Sequence, residues 1–110
     1  MNIYSFGHKY FSPTVTENDL YVDVRELNKI KVGINKVGTD KATRRKYLNH
    51  MDIREYYENY IWYRVCEKKF HNVYIGCHEG RHKSVCLAEQ LYIDAGKRFE
   101  VTLEHLTIDM

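Results

Sequence analysis

The pattern of apolar and polar positions changes from that of a strand to that of a helix between residues 76 and 84. Residues 73–75 are β-branched or aromatic, which predicts a short buried strand. Beyond Gly80, apolar side chains recur at helical spacing, and Gly96 supplies a stop. The recurring positions are Val85, Leu87, Ala88, Leu91, Tyr92 and Ala95. Gly76 and Gly80 therefore lie in a tight turn from strand to helix.

The same patterns predict the other elements. Residues 3–6 and 20–25 are short apolar runs that predict buried strands, and residues 99–104 alternate as a strand with one buried face. Residues 28–39 have no clear period and read as a basic loop, and residues 40–50 predict a short basic helix. A longer helix should follow, capped by Asp52 and Glu55. Its packed face would carry Ile53, Tyr57, Tyr60, Ile61 and Val65.

Helices between successive strands imply an α/β fold with a mainly parallel sheet in three layers. The length of 110 residues fits one domain, 1–110. In such a sheet the ligand site lies outside the carboxyl ends of the strands, so Lys9, Arg25 and residues 77–84 should meet there. Asp23 and Arg25 either pair with each other and order the strand end or form a wall of the pocket, and both readings stay open.

Cysteine content and hydropathy indicate the compartment in which the protein is expected. Three cysteines, an odd number, without a recognisable secretory leader indicate free thiols, and we expect a cytoplasmic protein. We expect no membrane partner, because no apolar run approaches the roughly 20 residues of a bilayer span.

The net charge of +2 is too small to indicate nucleic acid by itself, but the charge is unevenly distributed. One segment, residues 29–46, has basic side chains against the single acid Asp40. These are Lys29, Lys31, Lys36, Lys41, Arg44, Arg45 and Lys46. The segment makes RNA a further candidate partner, through Arg44, Arg45 and Lys46. The ten tyrosines could stack bases, but their main role is expected at the edge of the core and in a ligand pocket.

The turn from strand to helix has the composition of an anion site. Backbone N–H groups at a helix start are unpaired, and the positive end of the helix dipole attracts an anion. Residues 81–84, an arginine, a histidine, a lysine and a serine, add donors at the same place. We interpret residues 77–84 as a phosphate-binding loop at a helix N-terminus.

A literal match to the zinc-protease motif H-E-x-x-H spans His78 to His82. That motif requires one helix, whereas Gly80 interrupts it here and the segment directly follows a strand. We therefore predict no metal and no cofactor. For His78, a polar loop residue is the simpler interpretation.

Cys77 offers a different chemistry. A cysteine at a strand end that faces a helix N-terminus can act as a nucleophile, and cysteine phosphatases place an arginine six positions later. Lys83 occupies that position here, and a lysine lacks the planar fork that holds phosphoryl oxygens. Phosphatase chemistry through Cys77 therefore stays an alternative, and the simpler alternative is a thiol that packs at the turn.

Four stretches resemble a known family in order and spacing: residues 4–11, 21–27, 38–50 and 74–91. They are similar to the S-F-G-x-K-Y, F-D-V-R-x-L, G-x-D-K and I-G-C-T-G-G-x-H-R-S-V-x-x-A-E-x-L motifs of the C-terminal domain of the bacterial RNase adapter protein RapZ. The resemblance covers nearly the whole chain. The nucleotide-binding N-terminal domain of the full-length family lies outside it.

The resemblance implies a phosphatase-like α/β domain that binds an amino-sugar phosphate, glucosamine 6-phosphate, and takes part in small-RNA binding in the full-length family. Carried over by motif position, the ligand-binding candidates are Lys9, Asp23, Arg25, Cys77, His78, Gly80, His82, Lys83 and Ser84. His78 and Glu79 replace a threonine and a glycine of the family loop. A carboxylate there repels phosphate unless it points away or meets an amine or a hydroxyl of the ligand.

Two classes of function follow. The first is a sensor or sequestering module that binds a sugar phosphate or a nucleotide and that could also contact RNA. The second is a phosphatase-like hydrolase with Cys77 as nucleophile. The sequence names neither the ligand nor the oligomeric state, and a homo-oligomer is left open.

Overall fold

The computed structural model describes residues 1–34 and 36–110, and its centre is one sheet of four parallel strands in the order β2-β3-β1-β4. The strands are β1 Asn2–Gly7, β2 Asp19–Asp23, β3 Asn72–Cys77 and β4 Thr102–His105. The predicted α/β class with a parallel sheet is confirmed. Because the strands are parallel, their carboxyl ends lie at one edge of the sheet.

In the described residues, four α-helices and two irregular helical segments lie between the strands. They are the 3-10 helix Val24–Lys29, α1 Lys41–Asn49, α2 Met51–Tyr56, the π-helical segment Tyr57–Trp62, α3 Tyr63–Glu67 and α4 Lys83–Ala95. Helix α4 ends at Gly96, as predicted, whose N–H donates to the carbonyl of Tyr92. Within the described part of the chain, the helices are too short or too polar to cross a membrane.

The second strand is shorter than its apolar pattern predicts. The carboxylate of Asp23 accepts the backbone N–H of Arg25 at 3.0 Å and caps the 3-10 helix. Val24 and Arg25 therefore belong to that helix, and the prediction of a strand over residues 20–25 was wrong at its end. Asparagine and aspartate often turn a chain in this way, because their side chains bond to a backbone N–H two residues on.

The last strand starts later than predicted. The N–H groups of Arg98 and Phe99 donate to the carbonyl of Ala95 at 3.0 and 2.8 Å, so residues 98 and 99 continue the turn after α4. The strand begins at Thr102, not at Phe99. The alternation of apolar residues from Phe99 onward still holds, since Phe99, Val101 and Leu103 pack against the core.

The helix over residues 51–67 begins differently from its prediction. His50 is the N-cap, and its ring nitrogen accepts the N–H of Asp52 at 3.3 Å. Tyr60 is 56% exposed, although it was predicted on the packed face. A π-helical turn contains more residues than an α-helical turn, so residues four apart, such as Tyr57 and Ile61, lie on the same side of the helix. Tyr60, three residues after Tyr57, then faces the surface.

The core lies between the helices and one face of the sheet. Pairing places Ile3, Leu20, Val73 and Leu103 in one row across the four strands. This row packs with buried side chains of the helices, among them Ile61 and Leu91. On the opposite face the next row holds Tyr4, Tyr21, Tyr74 and Glu104. Several of the ten tyrosines thus lie on a sheet face, and Tyr92, predicted on the packed side of α4, is 40% exposed.

Candidate functional site

The loop between β3 and α4 is held by a neighbouring segment. Gly38 donates its N–H to the carbonyl of Arg81 at 2.7 Å, and the Nδ1 of His82 donates to the carbonyl of Lys36 at 2.7 Å. His82 precedes α4 but provides no capping hydrogen bond from its side chain, as far as the described residues go. The first N–H groups of α4 have no intrahelical partner, so they are available to an anion.

The sulfur of Cys77 lies at the base of this loop. Cys77 is only 6% exposed, and its Sγ accepts the N–H of Gly80 at 3.1 Å and lies 3.0 Å from the Oγ of Ser84. Gly80 has a φ of 76°, a left-handed conformation that glycine adopts without strain. The loop therefore turns back over the sulfur, and the strand end and the helix start meet at one point.

A cleft of about 220 Å³ opens at this point. Its lining consists of Asn28, Cys77, His78, Glu79, Arg81, His82 and Lys83. The Nζ of Lys83 donates to the Oδ1 of Asn28 at 2.7 Å, which holds the ammonium group over the cleft. Partial burial lowers the pKa of Lys83, and the charge of Lys31 acts in the same direction. The cleft thus combines an oriented ammonium group, an arginine and one carboxylate.

The structure brings six of the nine predicted ligand-binding residues together. Cys77, His78, His82 and Lys83 line the cleft, while Gly80 and Ser84 contact the sulfur of Cys77. The loop residues His78 to His82 are not helical, so the geometry that the zinc motif requires is not present in this segment.

The other three predicted residues, Lys9, Asp23 and Arg25, are not among the described residues that line the cleft, and their side chains are engaged elsewhere. Asp23 and Arg25 form an ion pair, with 2.8 Å between Oδ2 and Nη2, and this pairing lowers the pKa of Asp23. The Nζ of Lys9 lies 5.4 Å from the centre of the Tyr10 ring. Lys9 still touches the loop through its backbone, because its N–H donates to the carbonyl of His78 at 3.1 Å.

The residues that were assigned to RNA lie on α1. Arg45 and Lys46 are exposed and Arg44 is half-buried. The Nζ of Lys46, on α1, donates to the carbonyl of Gly33 at 2.6 Å and so holds the part of the basic segment that precedes α1 against this helix. RNA binding through these side chains stays a prediction.

Three cleft residues were absent from the nine ligand-binding candidates: Asn28, Glu79 and Arg81. Glu79 and Arg81 lie inside the predicted phosphate-binding loop, and Arg81 was expected to add a donor there. Asn28 reaches the cleft from the end of the 3-10 helix, 55 residues before Lys83. Its part of the chain reads as an irregular basic loop, so no sequence signal placed it at the site.

Fold and loop together define a class: a parallel α/β domain with a turn at the carboxyl edge of the sheet that leads into a helix N-terminus. The sequence model of the RapZ C-terminal domain matches residues 1–109, and the chain belongs to this family.

Curated relatives carry the name "Nucleotide-binding protein". One from Pediococcus pentosaceus is 32% identical, and the match covers 96% of this chain and 39% of that protein. One from Geobacter sp. strain M21 is 34% identical, covering 99% and 42%. One from Thermosipho africanus is 33% identical, covering 96% and 41%. This chain therefore spans about two fifths of the length of these relatives.

Proposed function

We propose that this chain binds a phosphorylated small molecule in the cleft at residues 77–83 and serves as a sensor or sequestering module. The observation that carries the proposal is the position of Lys83. Its ammonium group is held by Asn28, and Lys83 is the first residue of α4, where the N–H groups have no partner within the helix. A point charge and oriented N–H donors form a binding site for a phosphate group.

The remaining lining indicates what else the ligand should carry. Glu79 is exposed and lines the cleft, and a carboxylate there favours a ligand with an amine or hydroxyl donor next to its phosphate. Glucosamine 6-phosphate has both groups. The volume of about 220 Å³ is below the roughly 300–1,000 Å³ of sites for larger ligands. A sugar phosphate, or the phosphate end of a nucleotide, fits this size.

The names of the relatives agree with a phosphorylated ligand, since a nucleotide carries phosphate. They are proteins more than twice as long as the matched region. Nucleotide binding is therefore carried to this chain only as one form of the proposed ligand, beside sugar phosphates.

A phosphatase-like activity is the second candidate, because Cys77 lines the cleft and its sulfur accepts the N–H of Gly80. A bound phosphoryl group would lie near a potential nucleophile. Lys83 in place of an arginine favours binding over transfer, since a lysine cannot hold two phosphoryl oxygens in one plane.

A thermal-shift screen tests the binding proposal. A ligand present at 100 times its dissociation constant should stabilise the fold by about 2.7 kcal/mol. We expect this response to glucosamine 6-phosphate or a nucleotide and a much smaller one to unphosphorylated glucosamine. The Lys83→Ala variant should lose most of the response. If sugar phosphates and nucleotides stabilise the protein no more than glucosamine does, the proposal is wrong.

RNA is proposed as a further partner because the basic segment, residues 29–46, lies against the loop of the cleft. Gly38 and Lys36 of this segment form hydrogen bonds with Arg81 and His82 of the loop. If the segment follows a phosphate backbone, binding of a short RNA should weaken steeply with salt. Replacement of Arg44, Arg45 and Lys46 together should flatten this dependence, as measured by fluorescence anisotropy. An RNA that fails to bind at low salt would remove this partner.

A further inference from the structure

Thr107, in the segment that follows β4, joins three separate parts of the chain. It is 2% exposed, and its Oγ1 accepts the N–H of Gly7 at 2.8 Å. The same hydroxyl donates to the carbonyl of Glu79 at 3.1 Å. One buried hydroxyl therefore connects the end of β1 with the loop over the cleft.

The bond from Thr107 acts on a peptide group that also reaches Cys77. The carbonyl of Glu79 and the N–H of Gly80 belong to the same peptide unit, which is planar, so its two polar ends point in opposite directions. Thr107 holds the carbonyl end, and the sulfur of Cys77 accepts the N–H end at 3.1 Å. A rotation of this peptide would break both bonds at once.

The surroundings leave this peptide little room. A Cβ built on Gly80 would lie 2.2 Å from the Oγ1 of Thr107, and one built on Gly7 would lie 2.3 Å from the carbonyl carbon of Glu79. The backbone of β1, the loop and Thr107 are thus in direct contact. A change of the side chain at Thr107 should therefore move the backbone of the loop, because a closely packed interior has no free volume in which the change could be accommodated.

The segment that carries Thr107 has its own anchor. The Nε2 of His105 donates to the carboxylate of Glu89 at 3.3 Å, and its Nδ1 forms a hydrogen bond with the Oγ of Ser5 at 2.5 Å. The N–H of Leu106 also donates to the carbonyl of Ser5 at 2.9 Å. These hydrogen bonds fix the position of Thr107 next to the loop without a contribution from a ligand.

We infer that Thr107 is a positioning residue for the candidate site: its hydroxyl fixes the Glu79–Gly80 peptide and thereby the shape of the loop that receives the phosphate group. This inference rests on the proposed binding of a phosphorylated ligand. The hydrogen bonds of Thr107 should then strengthen ligand binding, and a bound ligand should stabilise the hydrogen bonds of Thr107, since coupling between two sites is reciprocal.

The test compares Thr107→Val, which keeps the shape but removes the hydroxyl, with Thr107→Ser, which keeps the hydroxyl. Thr102→Val is the matched control, because the hydroxyl of Thr102 donates at 2.8 Å to Asn2 on the exposed side of the sheet, far along the strand from the loop. All variants carry Cys66→Ser, which removes the exposed thiol.

The first readout needs no ligand: the rate at which a thiol reagent modifies Cys77. Burial raises the pKa of the Cys86 thiol to about 12, so Cys86 does not compete. Thr107→Val should raise the rate about tenfold, because the bond that fixes the Glu79 carbonyl is lost together with the bond from Gly7, while Thr107→Ser and Thr102→Val leave it unchanged. An unchanged rate in Thr107→Val would overturn the inference.

The second readout is the affinity for glucosamine 6-phosphate and for inorganic phosphate. We expect an about tenfold loss in Thr107→Val and recovery in Thr107→Ser. An equal loss in both variants would mean that Thr107 acts only through packing, and the inference would fail. If Cys77 becomes more reactive but the unmodified protein binds neither these phosphate compounds nor a nucleotide, the role of Thr107 in the loop stands and the proposed function does not.

A third measurement uses the unmodified protein and covers the case in which Thr107→Val does not fold. Addition of glucosamine 6-phosphate should slow hydrogen exchange at the amide of Gly7, which donates to Thr107 and lies outside the cleft lining. Slower exchange at Gly7 is the reciprocal effect that the inference requires. Exchange at Gly7 that stays constant while the ligand binds would overturn it.

Discussion

Replacement of Gly80 by alanine should lower the free energy of unfolding by about 2–5 kcal/mol. The φ of 76° costs a residue with a Cβ about 1–2 kcal/mol. The new Cβ would also lie 2.2 Å from the hydroxyl of Thr107 and 2.4 Å from the nitrogen of Gly7, both at buried positions. Relief of these overlaps has to move the backbone of β1 or the loop, so the loss should appear in urea denaturation as a lower midpoint.

Gly33 offers a matched control for this substitution. Among the described residues, a Cβ on Gly33 would meet only the flexible end of Lys46, at 3.6 Å, and Gly33 does not have a left-handed φ. Gly33→Ala should therefore change stability by less than about 1 kcal/mol, with stabilisation as one outcome because alanine restricts the unfolded chain. Equal midpoints for Gly80→Ala and Gly33→Ala would contradict the close contact between the loop and Thr107.

The elements next to the cleft were predictable because they depend on local patterns. The strand over residues 73–75, the helix beyond Gly80 and the stop at Gly96 follow from apolar periodicity and from glycine, and all three are present. The exact start of the helix, at Lys83, was not predicted. The parallel sheet followed from the alternation of strands and helices. The individual strands and helices depend on neighbouring residues, and their order along the chain implies a parallel sheet, so one sequence is enough to predict them.

Features that depend on distant contacts were not predictable. Thr107 lies 28 residues from Glu79, and Asn28 lies 55 residues from Lys83. Neither residue type is unusual at its position, and only the folded chain brings each pair together. Two other deviations are local. The hydrogen bond of Asp23 to the backbone competes with continuation of the strand, and the π-helical turn competes with an α-helical turn. In each case the two structures are similar in energy, and an apolar pattern does not show which one forms.

Lys83→Ala should weaken the binding of glucosamine 6-phosphate by about 1.5–3 kcal/mol, roughly 10-fold to 150-fold, the value of a hydrogen bond to a charged group. The ammonium group is held by Asn28 at 2.7 Å, so its position over the cleft is defined before the ligand arrives. Lys97→Ala is the control for net charge, because Lys97 is exposed beyond the opposite end of α4. Isothermal titration should show near-normal affinity for that variant.

Cys77→Ser distinguishes a binding module from an enzyme. A serine hydroxyl can still accept the N–H that Gly80 donates to Sγ at 3.1 Å, so ligand affinity should stay within about twofold to threefold of the original value. Lys83→Arg adds the planar fork that phosphoryl transfer favours, and a latent phosphatase should then release phosphate faster, whereas a binding module should change only in affinity. We expect no phosphate release from phosphomonoesters by the unmodified protein or by Lys83→Arg. Release that depends on Cys77 and disappears in Cys77→Ser would refute the binding module and establish the hydrolase, because a packing thiol has no reason to control turnover.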